Sequence, residues 1–455
     1  MDPEKIERLS AAFSDLLWGT PLLVLLLGGG LFFLLHSGGR PLLYFSHALR
    51  ILRGKYDTPG EQGQINHFQA LSTALSATVG MGNISGVAVA IAAGGPGAIF
   101  WMWISAITGV ATNFYTCSLA VMYRGRDSHG ELQGGPMYVI TEGMGSAWRP
   151  LAILFCMAGM IGVLPMFQVN QYVQALREIG FGMPAKAPAA VINLGIGICI
   201  AAIASLVIFG GIRRIGKVAG SIVPIMSVLY IGCVLVILFR LSDRVLPAFE
   251  LIFKDAFSGE AMLGGALGSL IILGVKRGTF SNEAGLGTAA MAHGAAKTDE
   301  PIREGLVSML GPMIDTLLIC TMTALLIIVT GTWESGEMSG VSLTAAAFES
   351  GMPGYGSWLL LLCITFFAMS TLFAYPYYGA KCMSFVVGAR YSPIYNYLYV
   401  VSILIGATAS LEIVINLIDG FYAIMAIPTM ISGIWLAPAV KREAVRYFSR
   451  FRSKD

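Results

Sequence analysis

The chain comprises 455 residues, of which 56% are hydrophobic and 12% are charged, and its mean hydropathy is +0.73. Soluble globular proteins carry about a quarter charged residues, so this composition excludes a chain whose whole surface faces water and indicates a membrane protein. A net charge of +3, with basic residues scattered between apolar stretches, does not indicate nucleic-acid binding. No polar block is large enough for a separate domain, so we expect one membrane domain over residues 1–455.

Apolar segments of about 20 residues, each long enough to cross a bilayer, follow one another along the chain. The first follows Lys5 and Arg8, as in a signal peptide, but it is longer than a signal sequence and lacks a small-residue cleavage site, so we expect a retained helix. The eleven predicted helices are 15–36, 68–93, 98–122, 150–176, 189–209, 217–239, 262–291, 304–331, 357–386, 394–411 and 414–437, and a basic tail follows at 438–455.

Lysine and arginine counts in the connecting segments predict the orientation of the chain, because cytoplasmic loops carry the excess of these residues. With the N-terminus outside, the inside segments carry 20 basic residues and the outside segments carry 7. The inside segments are 37–67, 123–149, 210–217, 292–303, 381–390 and 438–455. We therefore expect an external N-terminus and a cytoplasmic C-terminus.

The ten helices after the first divide into two sets of five, over residues 68–239 and 262–437. Because five is odd, the second set crosses the membrane in the opposite sense to the first, as in an inverted repeat. The first helix of each set carries glycine and polar residues where a spanning helix is normally most apolar. These interruptions read Thr78-Val-Gly-Met-Gly-Asn83 and Gly278-Thr-Phe-Ser-Asn-Glu-Ala-Gly-Leu-Gly287.

Such interruptions carry a free-energy cost in a membrane, because unpaired backbone groups in hydrocarbon cost several kcal/mol each. They persist where a polar ligand meets the freed amides and carbonyls, which in secondary transporters are the groups that bind substrate and coupling ion. The alternative is that Gly80 and Gly82 only allow close helix packing. A pair of interruptions at corresponding places favours a site near the membrane midplane.

Helix 357–386 carries the adjacent hydroxyls of Ser370 and Thr371 at mid-depth. Two hydroxyls together with freed carbonyls supply the hard oxygens that sodium prefers. The alternative is that each hydroxyl bonds the carbonyl four residues earlier in its own helix. Beside two interrupted helices, these hydroxyls are a candidate ion site.

Ionisable residues within apolar segments need partners, because a charge at the bilayer centre costs at least about 2.5 kcal/mol. We expect Glu283 to pair with Lys276 or Arg277 and to hold the interrupted helix. Asp315 is a candidate proton relay or a polar packing residue.

The chain contains no HExxH, CxxC or GxSxG motif, so we do not expect an enzyme. An ion channel is the alternative from a different class, because glycine-rich helices also line pores. A channel predicts a continuous polar stripe through several helices, whereas the polar residues here concentrate at the two interruptions.

Several motifs, in the same order along nearly the whole chain, resemble those of the alanine or glycine:cation (sodium) symporter family. They are Gly80-Met-Gly-Asn-Ile84, Gly94-Gly-Pro-Gly-Ala-Ile-Phe-Trp-Met-Trp103, Gly134-Gly-Pro-Met-Tyr138, Phe280-Ser-Asn-Glu-Ala-Gly285, Ala292-His-Gly-Ala-Ala-Lys-Thr298, Gly311-Pro-Met-Ile-Asp-Thr316 and Tyr377-Tyr-Gly-Ala-Lys-Cys382. The resemblance implies an all-α membrane protein with the inverted-repeat fold of the bacterial leucine transporter, preceded by one extra helix. It also implies import of a small neutral amino acid, such as alanine or glycine, across the prokaryotic plasma (inner) membrane. The coupling ion is sodium and no other cofactor is implied; a proton in place of sodium remains the alternative.

The resemblance also implies roles for individual residues. The substrate-binding positions are Thr78, Gly80, Gly82, Gln168, Phe280 and Asn282, and the sodium positions are the carbonyls of Ser76, Val79 and Phe367 with the hydroxyls of Ser370 and Thr371. Tyr375 stands where many family members have tryptophan, so we expect it to alter the side-chain pocket.

Overall fold

The computed structural model describes residues 3–58, 60–184, 189–209, 211–257 and 266–452, and this part of the chain is helical apart from loops and one small hairpin. Residues 262–265 of the seventh predicted helix, and Lys186, lie outside the described residues. The first half of the molecule contains α1 (Pro3–Leu17), α2 (Thr20–His36), α3 (Phe45–Leu52), α4 (His67–Thr78), α5 (Gly82–Gly94), α6 (Ala98–Met122), α7 (Arg149–Gly162), α8 (Met166–Ala175), α9 (Ala190–Ile208) and α10 (Gly211–Arg240).

The second half contains α11 (Ser242–Ala256), α12 (Ala266–Asn282), α13 (Thr288–His293), α14 (Pro301–Thr330), α15 (Gly340–Gly351), α16 (Gly356–Val387), α17 (Ile394–Thr408) and α18 (Leu411–Arg452). Shorter helical turns lie at Arg40–Leu43, Pro136–Tyr138, Val139–Met144, Ser146–Trp148, Leu176–Gly180, Thr332–Ser335 and Ala389–Tyr391. Strand β1 (Gly125–Arg126) pairs antiparallel with β2 (Leu132–Gln133).

Seven segments of the described chain are helices long and apolar enough to cross a membrane, and nine qualify if each of two bent helix pairs is one span. The bent pairs are α1 with α2, at an angle of 49°, and α4 with α5, at 51°. The other two predicted spans correspond to α12 with α13 and to α17. Helices α12 and α17 comprise 17 and 15 residues.

Helix boundaries differ from the predicted ones at three places. The first predicted helix is a bent pair, because the chain turns at Gly19 and Pro21 then occupies the first turn of α2, where a missing N–H costs nothing. The fourth is interrupted before Met166, where Pro165 cannot donate to the helix ladder. The last continues to Arg452, so most of the predicted tail is helical.

Loops that the sequence predicts on one side of the membrane meet at one end of the helix bundle. Ile65 forms a parallel bridge with Ala296, and Ile212 packs against the same pair. The end of α18 joins this group through an ion pair of 2.6 Å between Arg446 and Glu300. We call this end, formed by residues 53–58, 60–66, 123–135, 294–300 and 388–393, the basic end.

Segments that the sequence predicts on the other side of the membrane also contact one another or nearby helix ends. The Gln171 side chain accepts a hydrogen bond of 3.0 Å from the Val341 amide, and the Asp255 carboxylate accepts one of 2.7 Å from the Gly97 amide. Helix α6 runs through the core, where 83% of an apolar 18-residue stretch is buried. In the outer helix α9 only 28% of such a stretch is buried, as expected for a helix that faces lipid.

Candidate functional site: two interrupted helices

The first interruption separates α4 from α5. Asn66 begins α4 with a reciprocal capping box with Gln69, and the helix ends at Thr78, after which Val79 adopts an extended conformation. The Gly80 amide donates a hydrogen bond of 2.8 Å to Oδ1 of Asn83. A side chain replaces the lost helix acceptor at this point, so the break is a built feature of the fold.

The second interruption separates α12 from α13. Asn282 ends α12, and its Oδ1 atom accepts a hydrogen bond of 2.9 Å from the Ala284 amide. Glu283 has a φ of +53°, the one positive value at a non-glycine residue in the described chain, and Gly285 and Gly287 follow at +84° and +93°. A left-handed glutamate costs on the order of 1–3 kcal/mol, which the surrounding contacts must offset.

Polar side chains join the two interruptions directly. Asn83 donates through Nδ2 to Oγ of Ser281 at 3.1 Å and to Oδ1 of Asp315 at 2.7 Å. Ser281 donates to the other carboxylate oxygen, Oδ2, at 2.7 Å. The fully buried Asp315 on α14 is therefore the common acceptor of both breaks. The sequence singled out this residue but did not indicate its partners.

The predicted sodium residues lie where α4 passes α16. The Ser76 hydroxyl donates to the Ser370 carbonyl at 2.8 Å. The Ser370 hydroxyl oxygen lies 2.9 Å from the Phe367 carbonyl oxygen and 3.4 Å from the Ser76 carbonyl oxygen. Thr371 donates to the Phe367 carbonyl at 3.2 Å. A Cβ atom on Gly80 would lie 2.4 Å from Oγ1 of Thr371, so only glycine allows this approach. The structure thus gathers these oxygens beside the first interruption.

Aromatic rings surround Gly82 on the other side of the same break. A Cβ atom there would lie 3.6 Å from the Phe280 ring, and Phe280 packs edge-on against Phe167 with ring centroids 4.9 Å apart. Gln168, the next residue, lies 3.4 Å from the Tyr375 hydroxyl. The predicted substrate residues from α5, α8, α12 and α16 therefore meet in one place.

Two further predicted substrate residues, Asn282 and Thr78, are the last residues of their helices. Asn282 points its amide at Oγ1 of Thr316, 3.1 Å away, so its side chain serves the structure of the second break. Thr78 is the last residue of α4 and is 9% exposed.

The prediction that Glu283 pairs with Lys276 or Arg277 is wrong. Lys276 lies 3.1 Å from Oδ2 of Asp419 on α18, and Arg277 contacts the same oxygen. Glu283 accepts hydrogen bonds from the hydroxyls of Tyr375, at 2.6 Å, and Tyr422, at 3.1 Å. The reason is conformational: Glu283 lies beyond the end of α12 in a left-handed conformation, whereas both cations lie within that helix.

The half-helices on the side of the basic end are joined to each other. Arg124, just after α6, donates to the carbonyls of Gly294, Ala296 and Thr298 in the segment that leaves α13. The same segment pairs with the residues that lead into α4, because the Lys297 amide donates to the Ile65 carbonyl at 2.7 Å. These contacts close the basic end of the helix bundle in the structure.

A buried carboxylate strengthens that closure. Glu304 on α14 contacts Nδ1 of His67, the first residue of α4, and lies 2.5 Å from Nδ1 of His293, the last residue of α13. All three side chains are at most 2% exposed. No group of three side chains able to hold a metal ion occurs among the described residues, and this cluster is a direct hydrogen-bonded link.

Two broken helices, joined at a polar centre within a bundle of apolar spans, are typical of a multi-pass membrane transporter. A model of the sodium:alanine symporter family matches residues 3–455. The chain belongs to that family, and it is a transporter, not an enzyme.

Relatives and a solved structure agree with this assignment. The chain is similar to the sodium/alanine symporter AgcS of Methanococcus maripaludis, at 40% identity over 97% of each chain. It is also similar to the probable sodium/glutamine symporter GlnT of Bacillus subtilis, at 34% identity over 98% of this chain and 91% of the relative. Its fold is similar to that of MhsT, solved in complex with L-phenylalanine, with a TM-score of 0.58 at 12% identity over 85% of this chain and 99% of MhsT.

Proposed function

We propose that the protein imports a small neutral amino acid, such as alanine or glycine, by symport with sodium. The observation that carries this proposal is the contact of α4 with α16, where Ser76 and Gly80 lie against Ser370 and Thr371 beside the broken helix. Membership of the sodium:alanine symporter family, and the similarity to the sodium/alanine symporter AgcS, support the same conclusion.

The sodium ion would take its ligands from four groups that contact one another here and from Val79, the residue that follows α4. The carbonyls of Ser76, Val79 and Phe367 and the hydroxyls of Ser370 and Thr371 supply five oxygens. A monovalent cation suits neutral oxygens, because it gains from carbonyl dipoles without the strong field of a carboxylate. Rotation of the Ser370 and Thr371 hydroxyls away from their helix carbonyls frees lone pairs for the ion.

The substrate would lie between the first interruption and the rings of Phe280, Phe167 and Tyr375. Freed amides near Gly80 and Gly82 suit its carboxylate, and carbonyls near Phe280 with the Gln168 side chain suit its ammonium group. Gly82 lies against the Phe280 ring. This close packing of rings favours substrates with short side chains.

The arrangement in the membrane belongs to the same proposal. Eleven spans, formed by one extra helix and two opposed sets of five, account for the paired interruptions and for alternating access around them. The predicted inside loops meet at the basic end, which supports a cytoplasmic basic end, a cytoplasmic C-terminus and an external N-terminus in the prokaryotic plasma membrane.

Uptake into proteoliposomes tests the proposal. Purified protein is offered labelled alanine, glycine, serine, glutamine and phenylalanine, with an inward gradient of sodium, potassium or protons. We expect concentrative uptake of alanine or glycine that requires the sodium gradient and is weaker for phenylalanine. Uptake that does not depend on the sodium gradient, or a preference for amino acids with large side chains, would contradict the proposal.

Proton coupling is the second candidate, and Asp315 is the observation that favours it. This buried carboxylate receives hydrogen bonds from Asn83, Ser281 and Thr316, all neutral donors, and so lacks a compensating cation among the described residues. Protonation is one way to remove such a charge. Uptake driven by a proton gradient in sodium-free buffer, and lost in Asp315→Asn, would favour this candidate.

A further inference from the structure

We propose a second amino-acid site, an exit site, in a cavity on the side of the basic end, where Lys381 binds the carboxylate of the substrate after it leaves the broken helices. This inference rests on the proposed function. The cavity has a volume of about 320 Å³, within the range that holds small ligands. Its polar lining comes from Asp127, Gln133, Tyr377, Lys381, Ser384, Ser392 and Asn396.

Lys381 is a buried cation at the wall of this cavity. Its side chain is 5% exposed, and its Nζ atom donates to the Met291 carbonyl at 3.0 Å and to the Tyr377 hydroxyl at 2.8 Å. Within the described ranges, no carboxylate lies at ion-pair distance from it. An ammonium group has three donors and needs a counter-charge when buried. Its Nζ atom also lies 4.9 Å from the centroid of the Tyr377 ring, and one of its three donors remains available to an anionic group in the cavity.

Other lining groups favour a zwitterion over a simple anion. Asp127 is held in place, because its Oδ1 accepts from the His129 amide at 2.9 Å and its Oδ2 from Gln133 at 3.0 Å. A carboxylate in the same cavity as Lys381 repels a free anion and attracts an ammonium group. The Oγ atom of Ser384, buried and without a partner among the described residues, offers a further hydrogen bond.

The cavity lies in series with the proposed transport site. Tyr375 belongs to the substrate residues, and Lys381 follows it on α16 by six positions, or about 9 Å along a helix. The Met291 carbonyl that Lys381 contacts belongs to α13, the half-helix after the second interruption. A substrate carboxylate that binds the Lys381 ammonium group in place of the Met291 carbonyl would weaken the contact between α13 and α16. Occupancy of the exit site would therefore favour opening of the path.

Cysteine protection tests the exit site by binding and not by transport. Ser392→Cys places a thiol at a partly exposed residue that lines the cavity, and its modification by a charged maleimide is followed by mass spectrometry of the peptide, in sodium-free buffer on protein in detergent. We expect the amino acid that gives the fastest uptake to slow modification by about tenfold, and Lys381→Gln to abolish this protection, because a charge-assisted hydrogen bond is lost. Lys297→Gln, which removes an exposed charge at the same end, is the matched control and should keep the protection.

Each result distinguishes this inference from the proposed function. Equal protection in the wild-type and Lys381→Gln backgrounds, in a protein that takes up amino acids, would overturn the exit site alone. Equal protection by acetate would overturn the zwitterion assignment. Absence of uptake of every amino acid would overturn the proposed function and the exit site with it. Elution of Lys381→Gln as a single species on size exclusion shows that the variant is folded.

Discussion

Asn83 donates to Asp315 across 2.7 Å, and this hydrogen bond joins the first interrupted helix to α14. Ser281 of the second interrupted helix adds a bond of 2.7 Å to the other oxygen of the same carboxylate. The Asp315 side chain therefore holds both interruptions in position, and a substitution of Asp315 affects both of them.

We expect Asp315→Ala to lower the thermal stability of the purified protein and to reduce uptake at least about tenfold. The donors of Asn83 and Ser281 would lose their acceptor, and each unsatisfied buried group costs about 1–3 kcal/mol. Size exclusion after heating measures the stability. Thr330→Ala on the same helix, which removes a hydroxyl bonded to its own turn, is the control. Wild-type stability and uptake in Asp315→Ala would show that the centre is dispensable.

We expect Ser370→Ala combined with Thr371→Ala to weaken the sodium dependence of uptake strongly and to leave insertion unchanged. The two hydroxyls supply two of five proposed ligands, so the half-saturating sodium concentration should rise by about tenfold or more. The measurement is initial uptake against sodium concentration in proteoliposomes. Thr408→Ala, whose hydroxyl also bonds the carbonyl four residues earlier, should keep the wild-type curve. An unchanged curve in the double variant would remove this ion site.

We expect Gly80→Leu to abolish substrate binding, and Gly80→Ala already to destabilise the protein. A Cβ atom at this position lies 2.4 Å from Oγ1 of Thr371, but 3.5 Å from its Cβ atom. Thr371→Ala should therefore restore most of the stability of Gly80→Ala, although not its sodium response. Thermal stability of the two single variants and the double variant measures this coupling.

Gly232→Ala is the matched control for this cycle. This helical glycine has no atom within 4 Å of an added Cβ, so alanine there should be neutral or stabilising by about 0.5–1 kcal/mol. Additive effects of Gly80→Ala and Thr371→Ala would contradict the contact.

We expect Tyr375→Trp to change the preference among glycine, alanine and larger neutral amino acids. The Tyr375 hydroxyl contacts Glu283 and Gln168, so the larger ring both changes the pocket volume and removes an acceptor for Gln168. Competition by a panel of unlabelled amino acids measures the preference. Tyr375→Phe, which keeps the ring size, separates loss of the hydroxyl from the change in volume. The same competition profile in all three proteins would exclude this residue from the pocket.

The positions of both interruptions follow from the sequence, because glycine and polar residues stand out in segments that are otherwise apolar. The contact of Ser76 with Ser370 was predicted only through the family resemblance, since the two residues are 294 positions apart. Asp419 and Tyr422 lie on the last helix, and nothing local in the sequence shows that they face α12 and Glu283. The left-handed conformation of Glu283 could not be predicted either, because that conformation normally selects glycine. The ion-pair prediction was wrong because it relied on the short distance in sequence between Glu283 and the two cations, Lys276 and Arg277. Glu283 lies beyond the end of α12, whereas both cations lie within that helix.

We expect Asp419→Ala to destabilise the protein by about 3–5 kcal/mol, because it leaves buried cations without a counter-charge. Asp419 is 1% exposed and serves both Lys276, at 12%, and Arg277, at 4%. Arg277 also lies over the Phe280 ring at 5.1 Å, so loss of the pair should disturb the substrate residues and lower affinity as well as stability. Lys276→Gln should have a smaller effect, because Arg277 still neutralises Asp419. Asp243→Asn, at an exposed acid of α11, is the control. Thermal unfolding with and without substrate measures both effects, and equal stability of Asp419→Ala and Asp243→Asn would show that the buried pair does not hold α12 against α18.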